Sequence, residues 1–319
     1  MQRFHIILIV GLGFVLDCLV GDPERLPHPV RFMGWGISFL DKRLRKKEDS
    51  PAKQRAKGFV LAFLIILATA GCSSLLLVLA YRLHFLAGLA VETVLCAQCL
   101  AARNLRDEAM NVYRRLQGDS IEDARHALAR IVGRDTDRLD ECGVIRAAVE
   151  TVAENTTDGV IAPLFYLVLG GPVFGMVYKA VNTMDSMIGY KDSRYRFFGT
   201  AAARCDDIAG FIPARLAAFF MILASFLLRL DGKNAWRIFR RDRAKHESPN
   251  AAQTESVCAG ALRIRLAGDA FYGGKLEHKP TLGDALRKPE RTDIPRAAAL
   301  MYATTVLCLV CFLLIRYLS

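Results

Sequence analysis

Four charged side chains between positions 146 and 158 are spaced for one face of a helix. Arg146, Glu150, Glu154 and Asp158 follow one another at four-residue steps, and side chains four residues apart are neighbours on a helix. The face is either a solvated surface, on which Arg146 offsets part of the carboxylate repulsion, or a site for Mg²⁺ or an amine, because hard cations prefer carboxylate oxygens. This helix face ends where the chain becomes apolar. Its position beside an apolar segment favours a binding site over a solvated surface.

A second polar face lies inside an apolar segment. Asn182, Asp185, Ser186 and Gly189 fall at positions i, i+3, i+4 and i+7 of one helix. Polar groups in such a segment need partners, which come either from another helix or from a ligand or metal. The nearest lysines are not one helical turn away from Asp185. We therefore expect Asp185 to face a water-filled cavity that opens to the cytoplasm and holds Mg²⁺ or an ammonium group.

Two weaker blocks follow. Asp206 and Asp207 are adjacent, and paired aspartates either hold Mg²⁺ or cap a helix. The run Ser248-Pro249-Asn250, together with Glu255, predicts a structured loop and a short helix. Beyond it are glycines at which the backbone could approach a ligand, at positions 260, 268, 273 and 274. The sequence has no Walker A motif and no G-x-G-x-x-G motif opening a helix, so a nucleotide would bind through a less common site.

The composition is typical of a membrane protein with large polar segments. Of 319 residues, 53% are hydrophobic and 24% are charged, with a mean hydropathy of +0.24. Disordered, collagen-like and small disulfide-rich proteins are excluded. The net charge of +11 fits basic cytoplasmic loops, and no nucleic-acid-binding signature is present, so no nucleic-acid partner is expected. The nine cysteines are expected to be reduced thiols.

Apolar and polar stretches alternate and predict an all-α, polytopic integral membrane protein with one domain, residues 1–319. About five apolar segments are expected to span or re-enter the membrane, and Gly170-Gly171-Pro172 makes one of them either a kinked span or a re-entrant hairpin. The polar stretches 102–158 and 230–296 are expected to be helical and cytoplasmic. The apolar segments are residues 5–20, 59–81, 83–101, 160–188, 208–228 and 297–315.

Charge sets the expected orientation. Residues 42–57 contain eight basic side chains, and such runs stay in the cytoplasm. Basic residues between 190 and 206 also favour the cytoplasm, although simple alternation of spans puts them outside. The number of true spans therefore stays open. Within the polar stretch 102–158, Ser120 and Asp123 form a capping signal for one helix, and a second helix is expected over residues 139–154.

In this order, the blocks resemble the CbiB/CobD family of cobalamin biosynthesis, the adenosylcobinamide-phosphate synthases. Three places depart from the family pattern: Thr156-Thr157 before Asp158, Gly210, and Ala252-Gln253-Thr254. The matching stretches lie between residues 21 and 262 and read GDPERLPHPVRFMG, GRDTDRLDECGVIRAAVETVAENTTDGVIAPLFY, YKAVNTMDSMIGYK, ARCDDIAGFIPARL and SPNAAQTESVCAGAL.

The resemblance implies a multi-pass enzyme of the cell membrane whose active site faces the cytoplasm. Such an enzyme joins the ring D propionate of adenosylcobyric acid to (R)-1-amino-2-propanol or its O-phosphate. ATP and Mg²⁺ are expected to drive the reaction. The expected partners are these two substrates, the lipid bilayer and other membrane enzymes of the corrinoid pathway.

This chemistry suggests roles for the polar residues. A carboxylate does not react with an amine at pH 7 without activation, so an acyl phosphate is expected, with cations around its phosphate groups. His28, in a proline-rich loop, is either a general base or a structural imidazole. The expected catalytic residues are Asp185, Glu154, Asp158 and His28; the expected Mg²⁺ ligands are Glu150, Glu154, Asp158, Asp206 and Asp207; the expected substrate and phosphate contacts are Arg134, Asn155, Asn182, Ser186, Lys191, Arg204, Arg215 and Asn250.

Two other classes of function stay open at this point. A membrane permease or sensor without chemistry would also place polar faces in apolar helices, although the long polar segments argue against it. A structural scaffold for corrinoid enzymes would tolerate changes at Asp185.

Overall fold

Helices form nearly all of the regular structure in the computed structural model, which describes residues 2–23, 27–46, 48–118, 120–190 and 192–318. The prediction of an all-α membrane protein is confirmed. In chain order the helices are α1 Gln2–Val20, α2 Pro29–Leu44, α3 Pro51–Leu83, α4 Phe85–Cys99, α5 Ala102–Leu116, α6 Ile121–Ala129, α7 Glu141–Asn155, a π-helical turn Thr156–Ile161, α8 Ala162–Ile188, α9 Thr200–Leu227, α10 Gly232–Asp242, α11 Ala251–Leu262 and α12 Asp293–Leu318.

Among the described residues, five helical stretches are long and apolar enough to cross a membrane. The apolar part of α1, Phe4–Val20, is shorter than these. The five stretches are Pro51–Leu83, Phe85–Leu116, Glu141–Ile188, Thr200–Leu227 and Asp293–Leu318. They agree with five of the six apolar segments predicted from the sequence.

Contacts group the chain into two compact units, whereas the sequence analysis treats it as one domain. The first unit consists of residues 1–101, 162–210 and 312–319, and the second consists of residues 102–161 and 211–311. The predicted site residues therefore divide between two units.

In the first unit, α4 packs on α1 and α3, and α8 packs on α3 and α4. Three polar side chains meet between these apolar helices. The Tyr81 hydroxyl donates to Glu92 Oε2, and His5 Nε2 lies 2.7 Å from the same oxygen, so the buried Glu92 carboxylate is satisfied. Helix α8 is interrupted at Gly170 and Gly171, where φ is −144° and +71°, at the break that the sequence predicts.

In the second unit, helix starts follow their capping residues. The Ser120 hydroxyl accepts the Asp123 amide at 3.3 Å, and the Asp140 carboxylate accepts the Gly143 amide at 2.7 Å, which satisfies amides that have no partner inside their own helix. The predicted start at Ser120 is confirmed. The second predicted helix, residues 139–154, is observed as Glu141–Asn155.

Helices α10 and α11 pack against each other with their backbones in close contact. A Cβ atom at Gly260 would lie 2.6 Å from the Ala235 Cα atom, so glycine is needed here for helix packing. The Asn234 side chain donates to the Gly260 carbonyl oxygen at 2.8 Å. The glycine at 260 therefore serves packing between two helices, whereas the sequence analysis suggested approach to a ligand.

Two short antiparallel strand pairs interrupt the polar segment 230–296, which the sequence analysis expected to be helical. Strand β1 Leu266–Ala267 pairs with β4 Thr281–Leu282, and β2 Ala270–Tyr272 pairs with β3 Lys275–Glu277. Gly273 and Gly274 join β2 to β3 with φ values of +56° and +78°. Two successive left-handed residues are what a tight hairpin of this type requires, and glycine adopts them without steric cost.

Candidate active site

A cavity of about 840 Å³ lies in the second unit. Three parts of the chain form its walls. They are the loop of residues 134–139, the face of α7 that contains Gly143, Arg146, Ala147 and Glu150, and the strand region around the β2–β3 hairpin. Arg146 and Glu150 thus lie on one face, as their four-residue spacing predicts.

The Arg134–Glu150 ion pair forms one wall of this cavity. Arg134 donates to Glu150 Oε1, and the Ala267 amide donates to Glu150 Oε2 at 3.0 Å. Burial alone would lower the pKa of Arg134, but the nearby Glu150 carboxylate outweighs it, and the pKa of Arg134 is raised. Both oxygens of Glu150, an expected Mg²⁺ ligand, therefore already accept protein hydrogen bonds.

Three further arginines line the cavity. Within the part of the chain that the structure describes, Arg138, Arg146 and Arg265 form no ion pair with a carboxylate. The Arg138 guanidinium lies over the Phe271 ring, 5.1 Å from its centre, and Arg146 Nε donates to the Cys142 carbonyl oxygen at 3.4 Å. Their charges are available to an anion, and planar guanidinium groups match carboxylate and phosphate oxygens well.

The cavity also has acidic side chains, and two of them are held by the chain itself. The Asp135 carboxylate accepts the amides of Gly273 and Gly274 at 3.0 and 2.7 Å. Asp269 lies 2.9 Å from His278 Nδ1. Asp137 is the third aspartate in the lining.

The second unit also contains a buried carboxylate that is not part of the cavity lining. Glu255, on the fully buried helix α11, is 2% exposed. Burial is the largest cause of a strongly raised pKa for Glu255, and the negative charges of Glu154 and Glu150 raise it further. The pKa of His246 shifts in the opposite direction. Burial and the positive charge of Lys279 lower it, which favours a neutral imidazole.

The remaining predicted residues of the second unit occupy different surroundings. Glu154 and Asp158 are half-buried. Asp158 lies within the π-helical turn, whose wider i to i+5 spacing shifts it from the position that an unbroken α-helix would give it. The Asn155 side chain donates to the Thr151 carbonyl oxygen at 3.0 Å, a contact within its own helix.

Arg215 and Asn250, both expected to bind substrate, are neighbours. Arg215 donates to Asn250 Oδ1 at 3.4 Å, and its guanidinium lies 3.3 Å from the centre of the Phe211 ring. Asn250 is buried and comes directly before α11. The sequence alone gave no reason to pair these two residues.

In the first unit, the structure brings together Asn182 and Asp206. Asn182 Nδ2 donates to Asp206 Oδ1 at 3.2 Å, so an amide from α8 meets a carboxylate from α9. The exposed Ser186 hydroxyl donates to the Asn182 carbonyl oxygen at 2.9 Å. Asp185 and Asp207 are half-buried and Arg204 is exposed. Lys191 lies outside the described residues.

His28 caps helix α2. Its Nδ1 accepts the Val30 amide at 3.3 Å, and its Nε2 lies 3.3 Å from Asp22 Oδ1. The Nδ1 contact is structural, whereas the buried Nε2 atom forms no hydrogen bond with the described residues, so both alternatives stated for His28 stay open.

The described residues contain no group of three or more His, Cys, Asp or Glu side chains arranged to hold a metal ion. A metal site built only from protein side chains is therefore not seen in that part of the chain. Mg²⁺ in nucleotide-dependent enzymes is commonly held by one or two carboxylates together with substrate phosphates. Glu154 and Asp158 are two half-buried carboxylates of the kind required, and neither of them lines the cavity.

Several residues around the cavity were missed by the sequence analysis. Arg138 and Arg265 lie in a loop and beside a two-residue strand, where no periodicity marks them, and only the fold brings them together. Glu255 is grouped with the run Ser248-Pro249-Asn250 in the sequence analysis but has no role there, although it is the one charged residue in the run AAQTESVCAGAL. A carboxylate within a buried helix is rare unless it is paired or functional.

Comparisons with known proteins agree with the resemblance noted in the sequence. The family model described as CobD/Cbib protein matches residues 10–301. The Cobalamin biosynthesis protein CobD of Pelobacter propionicus is 48% identical over 298 residues, covering 93% of this chain and 91% of the relative. CobD of Klebsiella pneumoniae is 45% identical, with 96% of both chains covered, and CbiB of Salmonella choleraesuis is 44% identical, with 97% of both covered. No solved structure matches the chain. The chain therefore belongs to the CobD/CbiB family.

Proposed function

We propose that this protein acts in cobalamin biosynthesis as an adenosylcobinamide-phosphate synthase. It would form an amide bond between the ring D propionate of adenosylcobyric acid and (R)-1-amino-2-propanol or its O-phosphate. ATP would activate the propionate as an acyl phosphate. Family membership and the names of the relatives, which place those proteins in cobalamin biosynthesis, support the pathway.

The observation that carries the proposed chemistry is the cavity with three arginines that lack carboxylate partners in the described part of the chain. The groups that take part in the activation step, a propionate, an ATP phosphate and the resulting acyl phosphate, are all anionic. Guanidinium groups bind such groups bidentately and stabilise the charge that develops in phosphoryl transfer. A volume of about 840 Å³ is in the usual range for a site for a ligand of nucleotide size.

The residues of the chain would act mainly by positioning. Arg138, Arg146 and Arg265 would hold phosphate and carboxylate oxygens, while the Arg134–Glu150 pair keeps the wall in place. Glu154 and Asp158, which lie outside the cavity lining, would hold Mg²⁺, and the ion would supply positive charge to offset that of the phosphates. Phosphoryl transfer depends chiefly on such orientation and charge compensation.

We place the enzyme in the cell membrane with its site toward the cytoplasm. The five apolar helices fit a multi-pass protein, and ATP is a cytoplasmic substrate. The basic residues between 42 and 57 favour the same orientation.

Purified protein in lipid vesicles tests the proposal. It is incubated with ATP, Mg²⁺, adenosylcobyric acid and either aminopropanol or its phosphate, and the amide and ADP are measured by mass spectrometry. We expect both products with at least one amine. Corrinoid uptake into the vesicles without amide or ADP would instead indicate a permease.

The Arg146→Gln variant tests whether this cavity is the site of the activity. We expect about a tenfold or larger loss of kcat/KM, equivalent to about 1.4 kcal/mol, because a charge-assisted contact to an anion is lost. Arg263→Gln is the matched control, since Arg263 lies outside the cavity lining and its side chain is 57% exposed. Equal activities of the two variants would indicate that the active site does not lie in this cavity.

A further inference from the structure

Helix α2 presents a face of exposed aromatic and basic side chains. Its buried residues are Met33, Ile37 and Asp41. Its exposed residues are all aromatic or basic, namely Arg31, Phe32, Trp35, Phe39, Lys42 and Arg43. Trp35 is 68% exposed, Phe32 is 57% exposed and Phe39 is 56% exposed. Large aromatic side chains exposed together on one helix face mark a surface that meets a partner or a membrane.

Contacts within the first unit fix which face of α2 is buried. Arg45 Nε donates to Asp41 Oδ1 at 2.7 Å, and the Tyr195 hydroxyl donates to Asp41 Oδ2 at 3.2 Å. Where α2 packs on α3, a Cβ atom at Gly36 would lie 3.2 Å from Ile65 Cδ1. The helix cannot turn its aromatic face inward without breaking these contacts.

The exposed side chains are arranged as in helices that lie at a membrane surface. Phe32, Trp35 and Phe39 follow at steps of three and four residues, so they form one row on the helix. The Phe32 and Trp35 ring centres are 5.3 Å apart, and the Arg43 guanidinium lies over the Phe39 ring, 5.3 Å from its centre. Aromatic rings favour the boundary between headgroups and acyl chains, and basic side chains beside them attract anionic headgroups.

The neighbouring helix favours a membrane over a soluble protein as the partner of this face. Helix α3 begins at Pro51, shortly after α2 ends at Leu44, and it is one of the helical stretches long and apolar enough to cross a membrane. Helix α2 is not among those stretches. Because α2 packs on α3, its exposed face is available to the lipid that surrounds α3.

We propose that α2 is a membrane-surface helix that binds anionic phospholipid. The rings of Phe32, Trp35 and Phe39 would insert among the acyl chains just below the headgroups, and Lys42 and Arg43 would contact lipid phosphates. Buried aromatic area would supply the attachment, and the two cations would supply the preference for anionic lipid. The inference is independent of the proposed function, because none of these five residues has a role in the proposed chemistry.

The fluorescence of Trp35 tests where this face lies. The chain has two tryptophans, so the Trp236→Phe variant emits from Trp35 alone. The full chain is placed in vesicles of phosphatidylcholine and phosphatidylglycerol whose acyl chains contain bromine either near the headgroup or near the chain end, with unbrominated vesicles as the reference. We expect stronger quenching by the bromine near the headgroup, and little quenching by acrylamide in the water.

Three results would overturn the placement at the membrane surface. Quenching by acrylamide without quenching by brominated lipid would place Trp35 in water. Protection from both quenchers would mean that protein covers the face, such as a second copy of the chain. Stronger quenching by the deeper bromine would place Trp35 inside the bilayer core.

A charge variant tests the preference for anionic lipid. In the Trp236→Phe background, Lys42→Gln and Arg43→Gln are combined, and the binding constant of brominated phosphatidylglycerol relative to brominated phosphatidylcholine is obtained from the quenching. We expect this ratio to fall about fivefold or more, the effect of about one basic residue near a membrane surface.

The matched control removes two charges from exposed positions of the second unit. It combines Arg263→Gln and Lys275→Gln in the same background, since the Arg263 side chain is 57% exposed and Lys275 is exposed on β3. We expect the control to keep the ratio of the unmodified charges. The same ratio in the two charge variants, or no preference for phosphatidylglycerol before the charges are removed, would overturn the assignment of anionic lipid.

Discussion

Arg134 and Ala267 hold the two oxygens of the Glu150 carboxylate, one from a guanidinium and one from a backbone amide. The contact joins the loop before α7, the helix itself and strand β1. All three parts line the same cavity. The carboxylate that the sequence suggested as a metal ligand thus fixes the wall of the site.

A double-mutant cycle should reveal this coupling. We expect Arg134→Gln and Glu150→Gln each to destabilise the protein, and the double variant to lose less than the sum, with a coupling energy of about 1.5–3 kcal/mol for a buried charged pair. Thermal unfolding in detergent gives the measurement. The exposed pair Arg291–Glu141 is the control, for which little or no coupling energy is expected because water screens an exposed ion pair. Additive effects at positions 134 and 150 would contradict the prediction.

Glu154→Gln should lower kcat at least tenfold and raise the Mg²⁺ concentration needed for half-maximal rate. The substitution keeps the shape of the side chain but removes the charge that a hard cation prefers. Activity measured across a Mg²⁺ titration gives the result, with Glu122→Gln, an exposed residue on α6, as the control. Normal turnover of Glu154→Gln at limiting Mg²⁺ would show that Glu154 is a structural residue and not a metal ligand.

Asp242→Asn should destabilise the protein by about 2 kcal/mol at pH 7, because hydrogen bonds to a charged group are lost. The buried Asp242 carboxylate accepts from Arg241 and from the Gly283 amide, and Lys245 lies 2.6 Å away. Burial alone would raise the pKa of Asp242, but these contacts outweigh it and the pKa is lowered.

The pH dependence of this effect has a definite sign. The pKa is lower in the folded state, so the stabilisation is complete above the unfolded value and declines as pH falls below about 4. The difference in melting temperature between Asp242→Asn and the unmodified protein should therefore be constant from pH 7 to about pH 5 and shrink below that. A difference that grows on acidification would contradict the assignment.

Periodicity and local capping predict the helices well but reveal little of the cavity. Ser120 marks the start of α6 because its hydroxyl acts within three residues, a relation visible in the sequence. Strands β1 to β4 contain two or three residues each, too few for any alternation to be detected. Arg138 and Arg265 are brought together only by the strand region and the loop before α7, so their role depends on contacts distant in sequence.

Spacing arguments also fail where the helix changes its geometry. Arg146 and Glu150 share a face because α7 is regular between them, whereas the turn Thr156–Ile161 is π-helical and contains Asp158. The expectation of four residues on one helix face therefore holds for Arg146, Glu150 and Glu154, which all lie within α7, and fails only at Asp158. Such a bulge cannot be deduced from residue spacing, although bulges of this kind are frequent at functional sites.

The orientation of helix α3 can be tested by labelling. We expect a cysteine at Glu48 to resist a membrane-impermeant maleimide in intact cells, because the surrounding basic residues keep this end in the cytoplasm. A cysteine at Arg82 should react, since the 33 residues of α3 span about 50 Å, more than the thickness of a bilayer core. The exposed Cys72 is replaced by serine in both variants. Labelling of the cysteine at position 48 and protection of the cysteine at position 82 would indicate the opposite orientation.

Asp185→Asn should abolish amide synthesis while changing stability by less than about 1 kcal/mol, the usual range for a site without a packing role. Asp185 is half-buried on α8, one turn from Asn182, whose amide donates to Asp206. A carboxylate at this depth must be paired, hydrated or protonated, and we expect it to face water and a cationic ligand. Thr183→Val is the neighbouring control, because Thr183 has no proposed role in the site and its hydroxyl donates to the Lys179 carbonyl oxygen of its own helix at 2.6 Å. Expression, melting temperature and turnover are measured for both variants. Unfolding of Asp185→Asn, or intact turnover, would make this aspartate structural and leave the second unit as the sole candidate for the chemistry.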